Sequence, residues 1–195
     1  MPKLLFQGHG SIRLTTNAGQ VIYLDPYAGS GYDLPADLIL VTHQHHDHNH
    51  IELCAKKNDT IIITNVEALA NNQYNSFNVA GILVKAVEAY NDNHNINECV
   101  GYLVEVDGVK IYFSGDTSQT KQMEVLAKEN IDYAFFPGDG KYNMNPNEAE
   151  KCARLVGAKH NVLIHVLPAE ALAQVAGEWS APDKLVLTAG EEIEL

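Results

Sequence analysis

Five histidines and one aspartate lie close together in the segment Thr42-His43-Gln44-His45-His46-Asp47-His48-Asn49-His50. Neutral imidazole is the commonest side-chain ligand of transition metals, and a carboxylate among imidazoles suits zinc, manganese or iron. The segment follows the apolar residues 38–41, which read as a buried strand, and a strand end holds ligands rigidly. The alternative is an exposed polar loop with adventitious metal affinity. The HxHxDH spacing directly after a strand favours a true metal centre.

The spacing inside this cluster divides it between two ions. In an extended chain His43 and His45 point to the same side, so they can share one ion. Asp47 and His48 lie where the chain must turn toward a helix that we expect to begin near Asn49, and there they can reach a second ion. Two ions need more ligands than one short loop supplies, so other segments must contribute.

Three further residues are candidate ligands. His94 lies in the polar stretch 91–95, and Asp116 and His165 each follow a predicted strand. Each has a simpler explanation when it is taken alone: a surface loop residue, a turn cap and a histidine near the core, respectively. In combination with the cluster, all three are better explained as metal ligands.

The elements that must position these side chains follow from residue propensities and turn chemistry. Strands are predicted at 21–24, 38–41, 60–64, 100–106, 109–113, 131–137, 161–166 and 184–188, and helices at 121–130, 146–156 and 169–179. Asp107-Gly108 predicts a hairpin turn, and Asn145 with Pro146 predicts a helix start. Because each helix must bury an apolar stripe against a sheet, we expect two sheets packed face to face with helices outside.

Length and composition indicate one globular unit. The 195 residues, 46% of them hydrophobic, suffice for a substantial core, and we expect residues 1–195 to form a single domain. No stretch approaches the roughly 20 apolar residues of a membrane span, and the N-terminus lacks a secretory apolar segment. We therefore expect a cytoplasmic protein that does not bind membranes. The sequence is also compatible with a homo-oligomer.

Charge and cysteine usage narrow the function classes. Thirteen Lys and Arg against twenty-five Asp and Glu give a formal net charge of −12, which repels polyanions and argues against a nucleic-acid partner. Cys54, Cys99 and Cys152 are widely spaced and form no CxxC pair, so neither a disulfide framework nor a thiolate zinc site is expected.

The sequence resembles the metallo-β-lactamase superfamily, and within it the branch that contains L-ascorbate 6-phosphate lactonase-like proteins. The shared motifs run in order along nearly the whole chain: Gly8-His9-Gly10-Ser11, Leu24-Asp25-Pro26, residues 36–48, Phe113-Ser114-Gly115-Asp116-Thr117 and Ile164-His165. The resemblance implies an α/β (α+β) fold, a four-layer αββα sandwich with the site at one edge between the two sheets.

The resemblance also implies a role for each ligand-type residue. One metal would be bound by His43, His45 and His94, the other by Asp47, His48 and His165, and Asp116 would bridge the two. Asp47 and His165 would also act in catalysis. His46 and His50 match no ligand position, so we expect them behind the ligands or at the surface.

These roles predict a hydrolase with two divalent metal ions, zinc in the first place and Mn²⁺ or Fe²⁺ as alternatives. Two such ions make hydroxide available near neutral pH, and it would attack a small ester, lactone or phosphodiester, anionic substrates included. His9 is a candidate contact to that small-molecule substrate or to a ligand carboxylate, and the loop residues Lys141, Tyr142 and Asn143 are candidate contacts to the substrate. A plain strand-to-helix connection is the alternative for the loop.

Three other functions remain open on the same scaffold. Phosphodiester hydrolysis on RNA, DNA or phospholipid uses the same ligands, although the acidic charge argues against polynucleotides. A di-iron oxidoreductase would typically carry glutamate where this chain has His45. A non-catalytic binding domain is disfavoured because all seven ligand types are present.

Overall fold

The computed structural model describes residues 1–195 and contains two six-stranded mixed sheets. The strands are β1 Lys3–Gly8, β2 Ser11–Thr15, β3 Val21–Leu24, β4 Ala36–Leu40, β5 Lys56–Ile63, β6 Ser76–Val79, β7 Ile82–Glu88, β8 Val100–Val106, β9 Val109–Phe113, β10 Tyr133–Pro137, β11 His160–Ile164 and β12 Glu191–Glu194. The first sheet has the order β12-β1-β2-β3-β4-β5, and the second has the order β11-β10-β9-β8-β7-β6.

The helices are short and lie in the connections. They are α1 Asn65–Ala68, α2 Met123–Leu126, α3 Pro146–Val156 and α4 Leu172–Glu178. The predicted start of α3 is confirmed, since the Asn145 side chain accepts a hydrogen bond from the Glu148 amide and Pro146 takes the first helical position. None of the helices combines the length and the apolar character that crossing a membrane requires.

A core of 43 buried residues draws side chains from both sheets and from the helices. Phe6 and Leu38 from the first sheet belong to it, as do Val104 and Phe135 from the second. The Tyr102 hydroxyl ties the sheets together by donating to the Val41 carbonyl at 3.0 Å. The predicted arrangement of two sheets with flanking helices is confirmed, and all three cysteines are buried free thiols.

Three predicted helices differ from the structure. Residues 121–130 form only the single turn of α2 and a 3₁₀ turn, Ala127–Glu129, which ends at Asn130 with φ 54°. Residues 169–171 are likewise 3₁₀ before α4 begins. The helix expected near Asn49 is a 3₁₀ turn, Ile51–Leu53. Each is too short to carry a long row of intrahelical hydrogen bonds, so the local pattern overstated its helical length.

The predicted last strand, residues 184–188, is wrong. In that stretch Lys184 makes only an isolated bridge with Asn161. The strand forms instead in the acidic tail, where β12 pairs antiparallel with β1 and sets Ile193 opposite Leu4. Glu192 is accommodated there because Lys3 and Arg13 lie at ion-pair distance from its carboxylate.

Parallel pairing brings the candidate ligands to one edge. Strands β3, β4 and β5 are parallel to one another, as are β9, β10 and β11. The carboxyl ends of parallel strands meet at the same edge, where α/β sheets bind ligands. His43 follows β4, Asp116 follows β9 and His165 follows β11, so the topology alone delivers three distant segments to one place.

Candidate metal centre

The seven ligand-type residues singled out from the sequence meet in space as two groups joined by Asp116. The first group contains His43, His45 and His94, whose donor atoms all lie within 4.8 Å of one another. His43 and His94 are buried, whereas His45 faces the solvent. The loop that carries His94 is closed on itself by reciprocal backbone hydrogen bonds between Asn91 and His94.

The second group contains Asp47, His48 and His165, and His9 joins it within the same 4.8 Å. His9 Nε2 lies 3.2 Å from Asp47 Oδ2, and the His9 ring centroid lies 3.7 Å from that of His165. The sequence proposed His9 as a contact to substrate or to a ligand carboxylate. The structure places it directly against this donor group.

Asp116 lies between the two groups. Its Oδ2 is 3.3 Å from Nε2 of His94 in the first group and 3.3 Å from Nε2 of His165 in the second. Its Oδ1 is 3.4 Å from Nε2 of His48. The carboxylate is buried, so it touches donors of both groups without competition from bulk water.

Gly115 explains how Asp116 reaches this position. The residue has φ +63°, and a Cβ there would lie 2.8 Å from the Val100 carbonyl oxygen and 3.1 Å from the Thr42 side chain. Only glycine fits both the left-handed backbone and the close approach. The Ser114-Gly115-Asp116 motif therefore lets the chain turn tightly after β9.

Asp25 was not assigned a role from the sequence, yet it orients two of the candidate ligands. Its Oδ2 accepts hydrogen bonds from His48 Nδ1 at 2.8 Å and from Thr42 Oγ1 at 2.6 Å. Because the Thr42 hydroxyl donates to Asp25, it must accept from His43 Nδ1, which lies 3.0 Å away. Nδ1 of both imidazoles therefore carries a proton, which leaves Nε2 of His43 and His48 as the nitrogens that can bind a metal once they are deprotonated.

Two other imidazoles have a side-chain oxygen beside Nδ1, and this contact is a hydrogen bond at His94 and an ion-pair contact at His165. His94 Nδ1 lies 2.9 Å from Asn91 Oδ1, an oxygen that only accepts. His165 Nδ1 lies 3.2 Å from Asp139 Oδ2, whose side chain is fully buried. Outer contacts of this kind hold metal-binding histidines in position in many metalloproteins. Asp139 and Asn91 were visible in the sequence only as loop residues, since nothing local indicated their partners.

Buried imidazole nitrogens that lack a hydrogen-bond partner indicate whether these residues suit a metal. Nε2 of His43, His48 and His165 is buried in each case and has no hydrogen-bond partner. A buried polar atom without a partner is costly, and three in one place call for a shared ligand. Imidazole nitrogens gathered around carboxylates are a donor set that suits divalent transition metals, so the residues fit such ions.

The pKa shifts show where positive charge is favoured. Burial alone would lower the pKa of His48, but the carboxylates of Asp116 and Asp25 raise it to about 10. Burial is likewise outweighed at His165, where Asp116, Asp139 and Asp47 raise the pKa to about 12. The carboxylates thus favour positive charge in the second group, which is where a cation would be stabilised.

His43 behaves differently. Burial, followed by the repulsion of His48, lowers the pKa of His43 to about 2, so the ring is neutral. At Asp116 burial would raise the pKa, but His48 and His165 hold it well below its usual value. A neutral imidazole and an ionised carboxylate are the protonation states that metal coordination requires.

Comparison with known proteins decides the family. A family profile described as "Beta-lactamase superfamily domain" matches residues 3–165. The chain belongs to the metallo-β-lactamase superfamily. The family predicted from the sequence is therefore confirmed, while the finer likeness to L-ascorbate 6-phosphate lactonase-like proteins stays a prediction.

Relatives of this superfamily member carry hydrolase names. A UPF0173 metal-dependent hydrolase of Thermococcus kodakarensis is 30% identical over 227 residues, with 100% of both chains covered. One from Geobacillus sp. is 31% identical over 227 residues and covers 99% of this chain and 100% of its own length. The chain thus falls among proteins that are named metal-dependent hydrolases.

Solved structures agree on the fold. A Parabacteroides distasonis protein described as a metal-dependent hydrolase superposes with a TM-score of 0.78 at 28% identity, covering 93% of this chain and 90% of that one. A metallo hydrolase from Ignicoccus hospitalis superposes with a TM-score of 0.74 at 20% identity, covering 98% and 97%. The second likeness shows the shared fold alone.

The remaining predicted residues of this metallo-β-lactamase superfamily member lie around the centre. Tyr142 lines the cleft that contains His45, Asp47 and Asp116. Lys141 and Asn143 do not line it. Lys141 lies over the Tyr142 ring instead, 4.6 Å from its centroid, and the Asn143 amide donates to Asp139 Oδ2.

His46 and His50 stand apart from the donor groups. The His46 side chain is 85% exposed. His50 Nδ1 lies 3.1 Å from Glu52 Oε1 at the surface. Neither belongs to a cluster of potential ligands with the other histidines.

Proposed function

We propose that the chain hydrolyses a small ester, lactone or phosphodiester with two divalent metal ions, and that these ions are zinc. The observation that carries this proposal is the position of Asp116, whose carboxylate lies 3.3 to 3.4 Å from Nε2 of histidines in both donor groups. A carboxylate shared in this manner is what a bridged pair of ions requires.

The donors divide between the two ions as their contacts suggest. His43, His45 and His94 would hold one ion, Asp47, His48 and His165 the other, and Asp116 both. When bound, two divalent ions would make hydroxide available near neutral pH and would polarise the electrophilic oxygen of the substrate. The imidazole-rich donor set favours zinc over magnesium or calcium, which prefer oxygen ligands.

Asp47 is the donor best placed to handle a proton. Its side chain is 23% exposed and lines the clefts on both sides of the centre. Burial would raise the pKa of Asp47, but contacts with His165 and His9 lower it, so the carboxylate is ionised at neutral pH. We infer that Asp47 orients the attacking water and accepts a hydrogen bond from it, and that His165 keeps Asp47 in place.

The rival functions have less support. Neither cleft beside the centre is lined by a lysine or arginine, which a polyanion would need in addition to the metals. With the net charge of −12 this disfavours nucleic acid as a substrate. His45 lies among the first group's donors and supports a hydrolase over a di-iron oxidase, whose pattern places glutamate there.

Metal removal and replacement test the proposal. The protein is stripped with a chelator, reloaded with Zn²⁺, Mn²⁺ or Fe²⁺, and screened against lactones, phosphodiesters, thioesters and β-lactams. We expect hydrolysis to vanish on stripping and to return best with zinc at two ions per chain. His50→Ala is the control, since its ring lies outside both donor groups and lines neither cleft. Activity in protein that elemental analysis shows to be metal-free would overturn the proposal.

A further inference from the structure

An apolar cleft of about 650 Å³ opens directly beside the candidate metal centre. We call it the apolar cleft; its walls include Tyr27, Tyr142, Leu167, Leu172, Ala173 and Leu187. Sites for small organic molecules are typically clefts of roughly 300 to 1,000 Å³ with mostly apolar walls and a few polar groups. The size and lining of this cleft suit such a molecule.

The apolar cleft adjoins the space over the donor groups. A second cleft of about 310 Å³, the metal-side cleft, is lined by His45, His94, Asp116 and His165 among others. His46, Asp47 and Tyr142 line both clefts. A single molecule can therefore extend from the metal-side cleft past Tyr142 into the apolar cleft.

The charges of the apolar cleft argue against an anionic group. No lysine or arginine lines it, and its carboxylates are Asp47 and Glu170. Lys141, the nearby cation singled out from the sequence, is exposed, lies over the Tyr142 ring and does not line the cleft. A carboxylate or phosphate in this cleft would lose hydration and lie near the like charges of Asp47 and Glu170, with no lysine or arginine to pair with it.

We propose that the substrate places its hydrolysable bond in the metal-side cleft and an uncharged apolar group, an acyl chain or a ring, in the apolar cleft. This proposal rests on the proposed function and narrows its substrate class to neutral compounds. Hydrolysis of such an ester adds water across the acyl carbon–oxygen bond and releases a carboxylic acid and an alcohol. Metal binding drives the chemistry, while the apolar cleft selects the substrate.

A chain-length series on zinc-loaded protein tests this directly. The probes are 4-nitrophenyl acetate, butanoate and hexanoate, together with the ester of adipic acid that ends in a free carboxylate. Burial of a methylene is worth about 0.8 kcal/mol, so kcat/KM should rise about fourfold for each added carbon that enters the cleft. The carboxylate-ended probe should be hydrolysed more slowly than hexanoate by at least about tenfold.

Two tryptophan variants on helix α4 form a matched pair. Ala173 lines the apolar cleft and is exposed, so Ala173→Trp fills the cleft without disturbing the core. Gln174 is exposed on the same helix and does not line the cleft, so Gln174→Trp is the control. We expect Ala173→Trp to abolish the gain with chain length, and Gln174→Trp to keep both the acetate rate and the chain-length profile of the parent.

A charge-reversal variant tests whether the apolar cleft disfavours anionic groups. Glu170→Lys replaces the like charge in the cleft with a cation. It should raise kcat/KM for the carboxylate-ended probe by about tenfold relative to hexanoate. A parent enzyme that prefers acetate or the charged ester, or an Ala173→Trp variant with the parent's chain-length profile, would overturn the proposal.

A binding assay that does not depend on hydrolysis distinguishes failure of this proposal from failure of the proposed function. If no ester is hydrolysed with any metal, the hydrolase assignment for esters fails, and the cleft is still measured by fluorescence of the neutral dye Nile red. Saturable binding that hexanamide displaces, and that Ala173→Trp but not Gln174→Trp removes, supports an apolar cleft. Absence of such binding in the parent protein refutes it.

Discussion

Asp25 Oδ2 accepts a hydrogen bond from His48 Nδ1 at 2.8 Å, in a position where both side chains are almost fully buried. The same carboxylate receives the amide and hydroxyl of Thr42, and that hydroxyl in turn holds His43. One buried acid thus orients a ligand candidate in each donor group. Asp25 itself lies outside both sets of proposed ligands.

This relationship predicts the effect of Asp25→Asn. Asparagine tolerates the positive φ of 44° at this position, so the fold should persist. Because the asparagine side chain has one accepting oxygen instead of two and carries no charge, metal affinity should fall by about 10- to 100-fold. Zinc competition with a chelating dye measures the loss, with exposed Asp33→Asn as the control. Parent-like affinity in Asp25→Asn would show that the contact does not support metal binding.

Alanine substitutions at His45, His46 and His50 should differ in their effect on metal content. His45→Ala removes a donor that lies within 4.8 Å of those of His43 and His94, and we expect metal content to drop sharply. His46→Ala and His50→Ala remove rings that lie outside the donor groups, and both should retain their metal. Elemental analysis after gel filtration compares the three proteins. Equal losses would mean that the assignment of ligands along the cluster is displaced.

The sequence predicted the site better than it predicted the elements around it. Ligand chemistry is carried by residue type, so His43, Asp116 and His165 could be recognised at their strand ends. Strands β1, β2 and β6 were not predicted from the sequence, and β12 was placed in the wrong segment, because strand formation depends on partners distant in the chain. Ile193 becomes a strand residue only when Leu4 lies opposite it.

The roles of the residues that orient the ligands were harder to predict from the sequence than the ligands themselves. Asp25, Asn91 and Asp139 act through contacts that span up to 26 residues, as in Asp139 and His165, and no local pattern reveals such pairs. The motif Leu24-Asp25-Pro26 was noticed as part of a family resemblance without a role. Its function became clear only when the topology placed Asp25 behind His48.

Two buried tyrosines give a stability prediction independent of the metals. Tyr102 donates its hydroxyl to the Val41 carbonyl, whereas the Tyr112 hydroxyl is buried without any partner. Tyr102→Phe should lower the free energy of unfolding by about 1 kcal/mol, since a paired hydroxyl is lost. Tyr112→Phe should leave it unchanged or raise it by up to about 1 kcal/mol, since removing an unpaired hydroxyl relieves a desolvation cost.

Denaturant unfolding of both variants in chelator measures this difference. The two substitutions remove the same atom from fully buried positions, so each controls for the other. Equal destabilisation of both proteins would contradict the hydrogen-bond account and would point to a packing role for both hydroxyls.

Asp116→Asn is the substitution that bears most directly on the two-ion centre. The carboxylate touches His94 in one donor group and His48 and His165 in the other, so its loss should weaken both ions while every histidine remains. An amide bridges two cations poorly. We expect fewer than two zinc ions per chain and a fall in turnover of at least about 10²-fold, the scale of losing one preorganised electrostatic group.

The competing explanation gives Asp116 a purely structural role in the turn after Gly115. Asparagine caps a turn nearly as well as aspartate, so under that explanation the variant keeps both ions and its rate. Elemental analysis and hydrolysis are therefore measured on the same preparation, with circular dichroism to establish that the fold is intact. A folded Asp116→Asn protein with two ions and parent turnover would remove Asp116 from the centre, and the bridged pair of ions would lose the observation that supports it.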